Sequence, residues 1–245
     1  MTTVVVIANQ TDSSNNYQTI KLLQKYCGSV SEVLFAQDSE QLDRVIIGKN
    51  IESILFLILD RVFCEPVVLK LMGIAKQKLM DRYTNAAMAE SQLFAVTASR
   101  QNAIYNGISK KNIFLMPSWQ VNGFSIWSSL SLPLRLAIEV QNYKDFLEGA
   151  FEVDQYVTTE AVTDNVLLLT SLNRILAETV DVSNNPKTEL EASAGTMERQ
   201  KYWSATLTSV VSGIAQNITP KYLGAVLAIV EHFFIHEYML RETRS

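Results

Sequence analysis

Ile51-Glu52-Ser53-Ile54-Leu55-Phe56-Leu57-Ile58-Leu59-Asp60 decides how the first half of this chain is read. From Ile54 to Leu59 every side chain is apolar. Such a run is far shorter than the ~20 residues of a membrane-spanning helix. It also lacks the alternation of a strand with one wet face. It reads as a strand buried on both faces, the kind found in parallel sheets covered by helices. Asp60 ends it.

Working outward, Val4-Val5-Val6-Ile7-Ala8 is a second run of the same kind, followed by the polar loop Thr11-Asp12-Ser13-Ser14-Asn15. Tyr17, Ile20, Leu22 and Leu23 then recur at helical spacing, and Cys27-Gly28 supplies a C-terminal stop. Val30 to Ala36 is a strand. Asp38 opens a helix carrying Leu42, Val45 and Ile46, which stops at Gly48-Lys49-Asn50. Beyond Asp60, a long helical stretch runs from Pro66 to Gln92 with a break near Thr84-Asn85. Leu93 to Val96 and Ile113 to Met116 are strands, separated by a helix over Arg100 to Gly107. Strand and helix alternate with short connections, which predicts a five-stranded parallel α/β sheet over residues 1–125. From 126 to 245 only helical patterns stand out: Leu134 to Phe146, Thr158 to Val180, Glu189 to Gln216, and a last helix capped by Thr219 with Pro220 in its first turn. Val162, Val166, Leu169, Leu172, Leu176 and Val180 form an apolar stripe on the second of these. Residues 126–245 are therefore expected to form a helical bundle domain.

A formal net charge of −4 and a pI near 5.3 give no footprint for a phosphate backbone, so no nucleic-acid partner is expected. No membrane span and no leader are legible, and the expected location is the cytoplasm. Cys27 and Cys64 lie far apart in apolar surroundings and read as buried thiols. His232 and His236 share a helical face and could reach a metal, but no third ligand is evident. An exposed polar stripe is the expected reading, with no metal and no cofactor. No glycine-rich phosphate loop and no nucleophile elbow occur. The chain is accordingly expected not to be an enzyme.

The strand ends carry the sharper signal. Asp60 follows the third strand, Thr97 the fourth (Ala95-Val96-Thr97-Ala98-Ser99), and Met116-Pro117 the fifth (Phe114-Leu115-Met116-Pro117-Ser118-Trp119). This resembles the receiver domain of two-component response regulators, in which a phospho-acceptor aspartate, a switch Thr/Ser and a Lys-Pro stand at those places. The resemblance implies a flavodoxin-like sheet with its working groups at the carboxyl ends of the strands. It also departs from the family. Ala8-Asn9-Gln10 stands where receivers hold an acidic pair for Mg²⁺, and Met116 replaces the phosphate-pairing lysine. The resemblance therefore implies a degenerate pseudo-receiver: a non-catalytic signalling adaptor, cytoplasmic, docking a protein partner such as a kinase or another regulator. A homodimer through the apolar last helix, Tyr222 to Met239, is part of that expectation. The alternative is a phosphorylation-competent regulator using Asp60 with Asp12. Asp60 reads as phospho-acceptor or as a strand-end aspartate capping the next turn. Thr97 reads as a switch residue or as a local backbone partner. Trp119 and Phe124 read as partner-binding anchors or as core packing.

Overall fold

Five apolar runs pair side by side, all parallel. The computed structural model describes residues 3–9, 17, 19–24, 27, 31–83, 85–118, 125–173 and 219–242. The strands are β1 (Thr3–Ala8), β2 (Glu32–Ala36), β3 (Ile54–Leu59), β4 (Leu93–Thr97) and β5 (Ile113–Leu115), in the order β2-β1-β3-β4-β5. In register, Val5 lies between Leu34 of β2 and Phe56 of β3. The strands at the centre are the most apolar: all six residues of β1 are buried, and five of six in β3. The chain divides into two compact units, Met1–Val140 and Gln141–Ser245.

In the first unit, helix α1 is described over 19–24. It is followed by α2 (Ser39–Ile46), α3 (Pro66–Arg82), α4 (Ala86–Ser91), α5 (Arg100–Tyr105) and α6 (Leu132–Ala137). One face of the sheet presents Val5, Ile7, Phe56, Ile58 and Ala95. These residues share a core cluster with Leu42 of α2, Leu71, Ala75 and Leu79 of α3, and Ala103 of α5. The alternate residues Val4, Val6, Leu57 and Leu59 are buried as well, as the period-2 geometry of a doubly covered sheet requires. Polar side chains bind the opposite, amino end of the sheet. Gln92 Nε2 donates to the carbonyls of Ile51, Glu52 and Ile54 at 3.1, 3.0 and 2.7 Å. Buried Asn112 Nδ2 donates to Glu90 O and Leu93 O. The expected break in the long helix separates α3 from α4, where the Asn85 side chain caps the second piece by accepting from Ala87 N at 2.9 Å.

The second unit holds α7 (Val140–Thr159), α8 over 166–173 and α9 (Pro220–Glu242). Thr219 caps α9, its Oγ1 accepting from Tyr222 N at 3.2 Å. Other boundaries differ from expectation. The helix expected from Leu134 to Phe146 is two helices, because Ile138 is extended (φ −116°, ψ 164°) and ends α6. Thr158 and Thr159 do not start a helix: their hydroxyls donate back to Asp154 O and Gln155 O at the end of α7. Asn165 caps α8 instead, accepting from Leu168 N at 3.1 Å. The described part of the stripe, Val162, Val166, Leu169 and Leu172, is 37–69% exposed rather than buried. Leu176, Val180 and the expected helix from Glu189 to Gln216 lie outside the described residues. Cys64 is exposed, not buried, and Cys27 and Cys64 form no disulfide. His232 is no exposed stripe residue either: its Nε2 lies 2.6 Å from Asp154 Oδ1, joining α9 to α7.

Two glycines decide how closely α7 and α9 approach. A Cβ on Gly149 would fall inside the contact distance of the Lys221 carbonyl oxygen, and one on Gly224 would meet the Phe146 carbonyl oxygen. Lys221 Nζ then bridges Glu152 at 2.7 Å and Glu148 at 3.5 Å across the same crossing. In isolation, alanine stabilises a helix by about 1 kcal/mol over glycine. Here steric exclusion wins. Gly149→Ala and Gly224→Ala are each expected to lower the unfolding free energy by about 2–3 kcal/mol. Gly73→Ala in α3, where an added Cβ meets nothing within 4 Å, is expected to raise it by up to about 1 kcal/mol. Urea titrations of the three variants check this, and a stabilised Gly149→Ala would contradict the close crossing.

His236 is half-buried, and burial together with the charge of His232 lowers its pKa below the ordinary 6.5. The folded state thus favours the neutral ring. Near pH 6.5 the unfolded chain takes up a proton that the folded chain refuses. This contribution is full above that pH and declines as pH falls below it. His236→Gln is expected to flatten the loss of urea midpoint between pH 7.5 and 5.5 relative to wild type, a range set about the ordinary histidine value. Parallel pH curves for the two proteins would count against the assignment.

Candidate functional site

The strand order reverses beside β1: the chain leaves β1 for β2 on one side, then returns to β3 on the other. In open α/β sheets the crevice at the carboxyl ends of such a strand pair is where ligands bind. Asn9 follows β1 there, and the turn Asp60 to Glu65 follows β3 and leads into α3.

That turn is wound around one carboxylate. Asp60, 7% exposed, accepts four backbone N–H donors. Val62 N and Phe63 N donate to Oδ1 at 3.0 and 2.8 Å, and Cys64 N and Glu65 N to Oδ2 at 3.0 and 2.8 Å. The backbone can do this because Phe63 takes a positive φ of 56°, the only non-glycine to do so among the described residues. A bulky residue adopts this conformation only when its surroundings hold it there. The Phe63 side chain is 1% exposed and belongs to the main core cluster. Burial of the ring thus helps turn consecutive N–H groups inward, the geometry of an anion-binding nest. Glu65 makes no side-chain cap on α3, and Pro66 stands in the first turn of that helix.

Thr97 holds this turn against the next one. Fully buried, its Oγ1 donates to Arg61 O at 2.9 Å and accepts from Ser99 N at 3.1 Å. Ala98 N also donates to Arg61 O, at 2.8 Å, and Asn102 Nδ2 donates to Val62 O at 2.8 Å. Met116, 5% exposed, is tied through its N–H to Thr97 O, while Pro117 is exposed. Asp60, Thr97 and Met116 thus meet along one edge, as their strand-end positions suggested. Trp119, Phe124 and Asp12 lie outside the described residues. No group of three or more His, Cys, Asp or Glu residues able to hold a metal occurs among the described residues. Besides Asp60 and the exposed Cys64 thiol, the ionisable side chains carried by the two tied turns are half-buried Arg61 and exposed Glu65 and Arg100. Sequence reasoning missed Phe63 and Asn102. The signal for the turn was present in Pro66, which marks a helix start a few residues after Asp60. A positive φ at a phenylalanine has no sequence signature. A cavity of about 440 Å³ lies elsewhere, lined by Tyr17, Ile20, Lys21, Phe35 and Val45 beside edge strand β2.

The model of the phosphoglucose isomerase family matches residues 16–185, more than half of the chain. The chain is 32% identical over 135 residues to the glucose-6-phosphate isomerase of Stutzerimonas stutzeri (strain A1501), covering 55% of this chain and 24% of that protein. It is 35% identical over 125 residues to that of Ectopseudomonas mendocina (strain ymp), covering 49% and 22%. It thus spans about a quarter of the length of these curated relatives. Among solved structures, a glucose-6-phosphate isomerase from Chlamydia trachomatis D/UW-3/Cx superposes with a TM-score of 0.67 at 13% identity, over 97% of this chain and 65% of that one. A hypothetical protein from Thermus thermophilus gives 0.54 at 16% identity, over 71% and 41%. The α/β class and the five-stranded parallel sheet agree with this fold. The receiver resemblance does not survive: the matched family replaces the pseudo-receiver, the two-component adaptor, the phosphorylated-regulator alternative and the kinase or regulator partner. The expectation of a non-enzyme falls too, since the relatives are named isomerases. The physical reason is that any doubly wound sheet gathers polar strand-end residues at this edge. By the extent of the family match, the chain belongs to the phosphoglucose isomerase family.

Proposed function

We propose that this chain takes part in isomerase chemistry on a phosphorylated aldose of the glucose 6-phosphate class, bound at the carboxyl edge of its sheet. The observation that carries the reading is the family match over 16–185, which takes in the turns after β3, β4 and β5. Relatives of this family bear the name glucose-6-phosphate isomerase. Such a ligand has a polyol, best met by short polar groups, and a phosphate, best met by cationic forks or backbone N–H groups. Arg61 and Arg100 stand on the two turns that Thr97 ties together, so the cationic donors come from neighbouring backbone positions. No helix of the described residues is long and apolar enough to cross a membrane.

Purified chain is expected to bind glucose 6-phosphate in saturation-transfer NMR, and ¹³C NMR is the direct assay of turnover. Arg61→Ala combined with Arg100→Ala is expected to weaken binding at least about tenfold, or ~1.4 kcal/mol. Glucose without the phosphate is expected to bind far more weakly. Absence of both binding and turnover by the wild-type chain would sink the reading.

A further inference from the structure

The turn after β3 is built as an anion receptor, and it is already full. Four consecutive N–H groups, from Val62 to Glu65, converge at 2.8–3.0 Å on an anion, and that anion is the protein's own Asp60 carboxylate. Each oxygen takes two donors, so all four of these N–H groups are engaged by the protein itself. The turn precedes α3, a helix of 17 residues, whose N-terminal end favours negative charge. It also lies at the switch point between β1 and β3, where the fold offers its ligand crevice.

The geometry points to Asp60 as an internal anion that closes this nest, so that the phosphate of any ligand at the carboxyl edge is excluded from the N-terminus of α3. Two features keep the carboxylate in place. Asp60 N–H donates to Val96 O, anchoring the residue at the end of β3. Thr97, Ala98 and Asn102 hold the carbonyls of Arg61 and Val62, so the turn is not free to open around a larger anion. A phosphate arriving from outside would have to share four donors with a like charge. The inference stands whether or not the isomerase reading does, because it concerns only who occupies the nest. If both hold, the sugar phosphate is received outside the turn, leaving Arg61 and Arg100 as its cationic partners.

The test uses the full chain and inorganic phosphate, with chloride at equal ionic strength as reference. The readout is the set of backbone amide resonances of Val62, Phe63, Cys64 and Glu65, followed with the urea midpoint. In the wild type these four amides are expected to stay put as phosphate is added. In Asp60→Ala the midpoint is expected to fall in chloride and to be restored, saturably, by phosphate, with all four amides shifting together. Asp60→Asn, which keeps one acceptor oxygen and the side-chain size, is expected to show a smaller fall and a weaker response, and it carries the test if Asp60→Ala does not fold. Shifts of the four amides in the wild type, or indifference of both variants to phosphate, would overturn the assignment. Failure of glucose 6-phosphate to bind leaves these outcomes unchanged, so the two ideas fail separately.

Discussion

Four backbone N–H groups directed at one carboxylate organise the turn after β3, on which the neighbouring turn after β4 is hung. Hydrogen bonds to a charged acceptor contribute about 1.5–3 kcal/mol each, roughly twice the neutral kind, although four on one group do not simply add. The Asp60 turn also contains a phenylalanine in a left-handed conformation, which would be unfavourable alone. Burial of the Phe63 ring in the core offsets that strain. Sheet, core and turn are thus mutually dependent. The ring holds the turn, the turn presents its donors, and the carboxylate satisfies them.

Thr97 extends that arrangement to the neighbouring turn. One buried hydroxyl donates to the Arg61 carbonyl and accepts from Ser99, joining the chain after β3 to the chain after β4. A ligand at these two turns meets the N–H groups of Val62 to Glu65 and the carbonyls of Arg61 and Val62 already bonded within the protein. Specificity then rests on side chains standing outside the turns rather than on backbone donors within them. Such a division is unlike the usual use of a helix N-terminus in open α/β sheets, where the backbone itself receives the anion.

The same polar strand-end residues explain why the sequence resembled a receiver. An order of β2-β1-β3-β4-β5 is common to many unrelated proteins, and an aspartate, threonine or proline after a strand is explained by turn chemistry without any shared function. Asp60 and Thr97 were legible as special positions because each interrupts a buried apolar run. Their partners were not, because Asp60 bonds the four residues from Val62 to Glu65, whose side chains carry no donor signal, and Thr97 bonds a carbonyl 36 residues away. The departures from the receiver pattern, Ala8-Asn9-Gln10 and Met116, were the residues that pointed away from phosphotransfer.

What the sequence by itself determined is the sheet. Runs as apolar as Val4 to Ala8 and Ile54 to Leu59 are at home in a sheet covered by helices on both faces, and the helical stretches between successive runs carry the chain back so that the strands pair in parallel. Cap residues such as Asp38, Asn85 and Thr219 likewise act within three residues of themselves, so local reading suffices. Only the tertiary structure decided the rest. Gly149 and Gly224 are unremarkable until two helix backbones meet at them, and Thr158 looks like a helix start until its hydroxyl turns back to Asp154. Asp60 reads on paper either as an open phospho-acceptor or as a cap on the next turn, and in the fold its carboxylate is enclosed by that turn. In each case the deciding interaction joins the residue to backbone atoms whose positions the rest of the chain sets, and residue type alone does not carry that information.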